Sequence, residues 1–216
     1  MQKENLIVFD IDGTLTDSVA LHQNAFRAML SLIGIEQSPT RFHSFKHHTD
    51  SFIVKELYEL DRKEAFPLSK IIAFEKGLTE KICAQPIKEI KGALQLLQQI
   101  ENHPNYGVCF ATGSLLRPAQ YKLEAIGLQY EQALLVASDE IYERKNIVAQ
   151  AIQQAKAFYK VSHFNRIIAV GDGLWDLQAA QNLQLEFIGV GLANKQVLED
   201  HGASIVLEDL TTFPLL

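Results

Sequence analysis

Short runs of apolar residues that never alternate with polar ones constrain this chain more than any other feature. They lie at 6–9, 107–111, 134–136, 167–170 and 187–190, with 205–207 a weaker sixth. A strand that is wet on one face alternates apolar with polar, because successive side chains point to opposite faces. Runs that stay apolar read as strands covered on both faces, the condition of a parallel sheet between helices. From residue 87 onward helical patterns separate them. Ile90, Ala93, Leu94, Leu97 and Ile100 share one stripe, and shorter patterns cover 116–126, 147–158 and 174–183. This alternation predicts an α/β fold, a doubly wound parallel sheet with a Rossmann-like core and right-handed crossovers.

Residues 16–86 break the alternation. They offer helix-like segments at 18–33, 50–60 and 68–84 and no convincing strand. Asp17 or Ser18 can cap the first segment, whose stripe includes Val19, Phe26, Leu30 and Ile33. The pattern predicts an α-helical cap domain at 16–86 inserted into a core made of 1–15 and 87–216, with Pro86 as the return point.

Composition narrows the partners. Twenty-six acidic against 20 basic side chains give a net charge of −6, which argues against a nucleic-acid backbone as the main partner. Cys83 and Cys109 are the only cysteines, too few for a disulfide framework or a cysteine zinc site, and Cys109 lies inside an apolar run. The first apolar run is too short for a signal peptide or a membrane span, so a cytoplasmic protein with no membrane partner is expected. The chain carries no signature of an oligomeric state.

In an open parallel sheet, ligands bind beyond the carboxyl ends of the strands. Asp10 and Asp12 follow the first run, Thr112, Gly113 and Ser114 the second, and Asp172 and Asp176 the fourth, while Lys145 opens the helix after the third. A buried, unpaired carboxylate costs several kcal/mol or takes up a proton, so crowded acids need a cation or a catalytic use. If the chain stays extended past the first run, side chains 10 and 12 point the same way, and Gly13 then allows a turn. Together with Asp172 they would form a hard oxygen cage suited to Mg²⁺. Taken singly, Thr112 reads as a helix cap, Lys145 as a solvated charge, Asp17 as a cap and Trp175 as packing.

The set DIDGT, Thr112, Lys145 and GDGLWD resembles, in order and spacing, the four motifs of the haloacid dehalogenase-like hydrolase superfamily. The helical insertion is similar to its phosphoglycolate phosphatase/β-phosphoglucomutase-like branch. The resemblance implies a Mg²⁺-dependent phosphatase acting on a small phosphorylated metabolite through an aspartyl-phosphate. Asp10 would be nucleophile and metal ligand, Asp12 a ligand through its carbonyl with its side chain free for proton transfer, and Asp172 a side-chain ligand. Thr112, the Gly113 N–H, Ser114 and Lys145 would bind the phosphoryl group, and Asp176 would orient Lys145 or join the metal's outer shell. Arg144 is a neighbouring cation, and Asn146 stands where many members carry Pro after the lysine. The expected pKa pattern is a metal-lowered Asp10 and an Asp12 raised by nearby negative charge.

The alternatives are a phosphomutase of the β-phosphoglucomutase kind and a non-catalytic phosphometabolite-binding protein. Such mutases often carry Glu-Asp where this chain has Gly171-Asp172, which favours the phosphatase. Within 41–50, Lys46, His47 or His48 would grip an anionic substrate group, with His22 and Arg27 as weaker candidates. His43 and His47 have the spacing of a zinc pair but no third ligand at a suitable distance in sequence.

Overall fold

The computed structural model describes residues 3–35 and 45–215. Within them, strands β1 (Asn5–Phe9), β2 (Tyr106–Ala111), β3 (Leu135–Val136), β4 (Arg166–Gly171), β5 (Glu186–Val190) and β6 (Val206–Leu207) form one parallel sheet. Their order is β3-β2-β1-β4-β5-β6, with β1 in the interior. The helices are α1 (Val19–Leu32), α2 (Asp50–Arg62), α3 (Leu68–Cys83), α4 (Ala93–Asn102), α5 (Leu116–Ala125), α6 (Arg144–Tyr159), α7 (Leu174–Asn182) and α8 (Lys195–Asp200).

The missing alternation has its cause in this layering. Ile7 and Phe9 join Phe110, Ile168 and Val170 in a cluster beneath Leu96 and Ile100 of α4 and Ala119 and Leu123 of α5. Leu6 and Val8, on the opposite face, join Cys109 and Ala111 beneath Ile147, Ala151 and Ala155 of α6. Both faces of β1 are dry, so every one of its buried positions is apolar. Cys109 is a packed thiol whose pKa burial pushes far above its usual range.

Helices α1–α3 build a separate apolar cluster from Phe26, Leu30, Ile53, Val54, Tyr58, Phe74 and Leu78. Phe26 meets Phe74 edge-on at 5.0 Å, and truncating either ring would cost about 3–5 kcal/mol. This layer closes on α5. A helix start leaves backbone N–H groups without intrahelical partners. Here Leu115 donates to Asp50, Leu116 to Asp139 and Arg117 to Glu75, each at 3.0 Å. Three further bonds fasten α2 to the loops above the sheet. The Asp50 N–H reaches the Gly113 carbonyl at 2.8 Å, the Ser51 hydroxyl the Ser138 carbonyl at 2.6 Å, and the Thr49 hydroxyl the Tyr142 carbonyl at 2.9 Å.

Several details depart from expectation. Ser18 precedes α1 but makes no side-chain cap; its hydroxyl donates to Asp12 instead. Asp17 is exposed and engages the Lys88 carbonyl only through its backbone N–H. Helix α8 spans six residues, too short to show a period.

Candidate active site

Strand register brings the predicted residues to one level. Phe9 pairs with Phe110 on one side and Val170 on the other, so Asp10 leaves the sheet beside Ala111 and Gly171. Thr112 and Asp172 come one step later. Asp10, Asp12, Thr112, Gly113, Ser114, Arg144 and Asp172 share one pocket, roofed by His22, His48 and Asp50 of the helical layer and by Trp175. It lies at the strands' carboxyl ends, where β1 passes to β2 on one side and β4 on the other, the usual ligand crevice of this architecture.

The Asp10 N–H still reaches the Val170 carbonyl at 2.9 Å, and the chain turns after Ile11. The N–H groups of Thr14, Leu15 and Thr16 converge on the Ile11 carbonyl at 3.0–3.3 Å, and Gly13 takes a φ of 77°. A Cβ at Gly13 would lie 2.3 Å from Asp172 Oδ2, so both the turn and the neighbouring acid require glycine. Asp10 and Asp12 both line the pocket, and different groups hold them.

Asp10 is buried against Arg144, whose guanidinium contacts Asp10 Oδ1 and also holds Asp176 Oδ1 through Nε at 2.9 Å and Nη2 at 2.8 Å. Asp176 Oδ2 accepts the Gly173 N–H at 3.2 Å. Arg144 is 6% exposed. Lys145, expected to bind the phosphoryl group, does not reach the pocket: its side chain is 42% exposed and pairs with Glu143 at 3.4 Å. One step along a helix rotates the side-chain direction by about 100°, so only one of two adjacent residues at the start of α6 can face the sheet rim. That residue is Arg144.

Asp12 faces other groups. Its Oδ2 accepts the Lys122 ammonium at 2.7 Å and its Oδ1 the Ser18 hydroxyl at 2.5 Å. Lys122, from α5, is fully buried and also contacts Ser114 Oγ at 3.2 Å and His22 Nδ1 at 2.8 Å. An ammonium only donates, so Nδ1 accepts and His22 Nε2–H donates to Asp50 Oδ1 at 2.9 Å. Thr112 Oγ1 accepts the Ser114 N–H at 3.1 Å, which aims this loop at the pocket.

In the protein without a metal Asp12 departs from the raised pKa expected of it, while the lowering expected of Asp10 depends on a bound cation. Burial pushes the Asp10 carboxyl up, against the pull of Arg144. Burial acts most strongly, to raise Asp12, but the Lys122 charge, the His22 ring and the hydrogen bonds from Lys122 and Ser18 together outweigh it and hold Asp12 down at about 2. Asp172 is raised well above its ordinary value by burial and then by Asp10, Asp176 and Asp12.

The acids fit a divalent cation. Asp10, Asp172 and Asp176 each present an oxygen within 4.8 Å of the others. Both Asp176 oxygens are engaged by Arg144 and Gly173, whereas Asp172 Oδ1 is buried with no hydrogen-bond partner among the described residues. Arg144 Nη1 is likewise a buried donor without an acceptor. A residue with an unpartnered acceptor and one with an unpartnered donor thus line one pocket.

Of the three proposed cap residues, His48 alone lines the pocket. Its ring stacks on Trp175 at 3.6 Å and 1°, and its carbonyl would lie 2.6 Å from a Cβ at Gly113, so glycine is required there too. Burial, then the nearby Arg144, lowers the His48 pKa to about 4. Lys46 is exposed, and His47 packs edge-on against Phe52 at 4.8 Å; neither borders the pocket. Arg27 bonds Asn24 and is not a lining residue either, while His43 lies outside the described residues. Lys122 escaped the sequence reading altogether. Its signal was its phase, seven residues beyond Leu115 and four before Ile126 on the helix face that meets the helical layer.

A family model described as haloacid dehalogenase-like hydrolase matches residues 4–184. No curated protein matches the chain at a significant level. Among solved structures, a hydrolase from Pseudomonas syringae is 22% identical, with 95% of this chain and 94% of that one covered and a TM-score of 0.70. CbbY from Rhodobacter sphaeroides in complex with phosphate is 20% identical over 99% of this chain and 97% of that one, with a TM-score of 0.74. A putative β-phosphoglucomutase from Bacteroides vulgatus is 19% identical over 96% and 85%, with a TM-score of 0.73. At these identities the likeness establishes the fold. Among the described residues, no helix is long and apolar enough to cross a membrane.

Proposed function

Because the chain belongs to the haloacid dehalogenase-like hydrolases, we propose that it is a Mg²⁺-dependent phosphatase of small phosphorylated metabolites. The reading rests chiefly on one observation: Arg144 and Asp172, whose Nη1 and Oδ1 are buried and unpartnered among the described residues, line the same pocket as Asp10. A phosphate monoester carried in with a divalent cation satisfies both.

Asp10 attacks phosphorus in line, the bond to the leaving oxygen breaks, and an aspartyl-phosphate forms. The Thr112 hydroxyl, the Gly113 N–H and the Arg144 guanidinium hold the phosphoryl oxygens, on which negative charge is spread. Arg144 fills the place first given to Lys145. Asp12 hands a proton to the leaving oxygen and afterwards takes one from the water that cleaves the intermediate and frees phosphate. Its low pKa in the empty pocket suits the second step, and the arriving phosphate dianion raises its proton affinity for the first. Mg²⁺ held by Asp10, Asp172 and the Asp12 carbonyl would neutralise the clustered carboxylates and the phosphoryl charge, with Asp176 orienting Arg144. The helical layer serves as the cap at 16–86, excluding water and large substrates.

Phosphate release from a panel of phosphorylated metabolites, with Mg²⁺ and with chelator, tests the proposal. Mg²⁺-dependent release by the wild type and none by Asp10→Asn is expected. Isomerisation that requires a bisphosphate primer, without net release, would transfer the chain to the mutases.

A further inference from the structure

Lys122 is the most deeply buried cation outside the phosphoryl-binding set, and the mechanism above does not use it. It is fully buried on a core helix, yet its ammonium reaches an acid of the core, Asp12 at 2.7 Å, and a residue of the helical layer, His22 at 2.8 Å. His22 is fixed by Asp50, which also accepts the Leu115 N–H where α5 begins. The series Asp50–His22–Lys122–Asp12 therefore runs from α2 through α1 and α5 to the proton-transfer carboxylate. Two of its four members belong to the layer that roofs the pocket.

An isolated buried lysine is strongly unfavourable, and here every ammonium proton finds an acceptor: Asp12, His22 and Ser114. Removing the helical layer would strip the His22 acceptor and expose the others to water. With it closed, Asp12 has both oxygens engaged, by Lys122 and Ser18, and its carboxylate has one orientation at the pocket wall. We infer that Lys122 is a positioning residue that aims the Asp12 carboxylate when the helical layer is closed, with His22 as its contact on the cap side. The inference rests on the phosphatase reading and deepens it: the aim of the proton-transfer carboxylate depends on a buried ammonium held from both sides of the pocket.

The test reads the leaving group. The step that benefits from Asp12 as acid is departure of a basic alkoxide; a nitrophenolate leaves without a proton. The quantity kcat/KM covers binding and the first phosphoryl transfer, and so isolates that step. In Lys122→Met, kcat/KM for a primary alkyl phosphate should fall about 100-fold, the lower range for loss of a positioned acid. For 4-nitrophenyl phosphate it should fall less than about 5-fold, with KM for both substrates held by the intact phosphoryl-binding residues. Because a buried apolar replacement beside Asp12 endangers folding, His22→Asn reads the same series from the half-buried cap side and should show the same selective loss. Equal losses on both substrates in the folded variants, or no loss on either, would overturn the inference while leaving the phosphatase reading intact. A wild type that releases phosphate from neither substrate would remove both.

Discussion

Asp10 and Asp12 stand two residues apart at the rim of one pocket, yet different helices hold them. Asp10 looks into the core, toward Arg144, Asp176 and Asp172, where buried acids outnumber the cation that holds them. Asp12 looks toward α5 and the residues before α1, where Lys122 and Ser18 satisfy both its oxygens. Burial raises the first; the lysine holds the second down. Carboxylates of one motif thus acquire distinct properties from what the fold brings against them. The Asp10 side is left short of positive charge and ready for a cation and a phosphate. The Asp12 side is complete as it stands.

Substitutions can break that comparison, beginning with the largest effect. Asp10→Asn should lower phosphate release by at least about 10³-fold, as expected for loss of a nucleophile, with circular dichroism unchanged. Arg144→Gln should lower kcat/KM about 100-fold or more, the scale of a removed charge-stabilising donor. It should also destabilise the fold by about 3–5 kcal/mol, because Asp10 and Asp176 lose their buried partner. Lys145→Gln, by contrast, should stay within about 2-fold of wild type, since its exposed pair with Glu143 contributes little. Parallel kinetics of the two variants decide which neighbour serves the site.

Asp172→Asn sharpens the electrostatic half of the comparison. A carboxyl raised on folding stabilises the fold only when protonated, and that contribution is lost as pH rises through its folded pKa. At neutral pH the substitution should therefore raise the metal-free melting temperature by about 2–4 °C for each kcal/mol of relieved repulsion, and abolish the rise that Mg²⁺ gives the wild type. Thermal melts with and without Mg²⁺ measure both.

A smaller effect belongs to His48. Its folded pKa of about 4 lies below the ordinary value of 6.5, so between those limits the unfolded chain takes up a proton that the folded chain does not. Its contribution to stability is complete above pH 6.5 and declines as pH falls toward 4. Urea melts across that window should give His48→Asn a flatter slope than wild type, by no more than one proton. Lys46→Ala and His47→Ala, whose side chains lie off the pocket, should leave the substrate profile within about 2-fold, the scale of surface changes.

Sequence made the sheet legible because dryness on both faces leaves an unmistakable mark: Leu6 through Phe9 could not all be apolar on a half-wet strand. The rim acids were legible for a related reason, since Asp10 and Asp172 directly follow such runs. What escaped depended on rotation and on distance in sequence. Whether Arg144 or Lys145 faces inward is a matter of helix phase at the first turn of α6, which tertiary packing sets. Lys122 lies 110 residues from its partner Asp12, and a lysine on a helix reads as solvated until the opposing surface is known. The expectation of a raised Asp12 pKa failed on that missing residue.

The central claim is that Asp10 receives the phosphoryl group in a pocket completed by a divalent cation. Acid quenching of a single turnover with a phosphate-labelled alkyl monoester and Mg²⁺ tests it most directly. The account predicts hydroxylamine-labile label on the peptide carrying Asp10, lost with chelator and in Asp10→Asn. Label on another residue, or rapid phosphate release by Asp10→Asn, would contradict it.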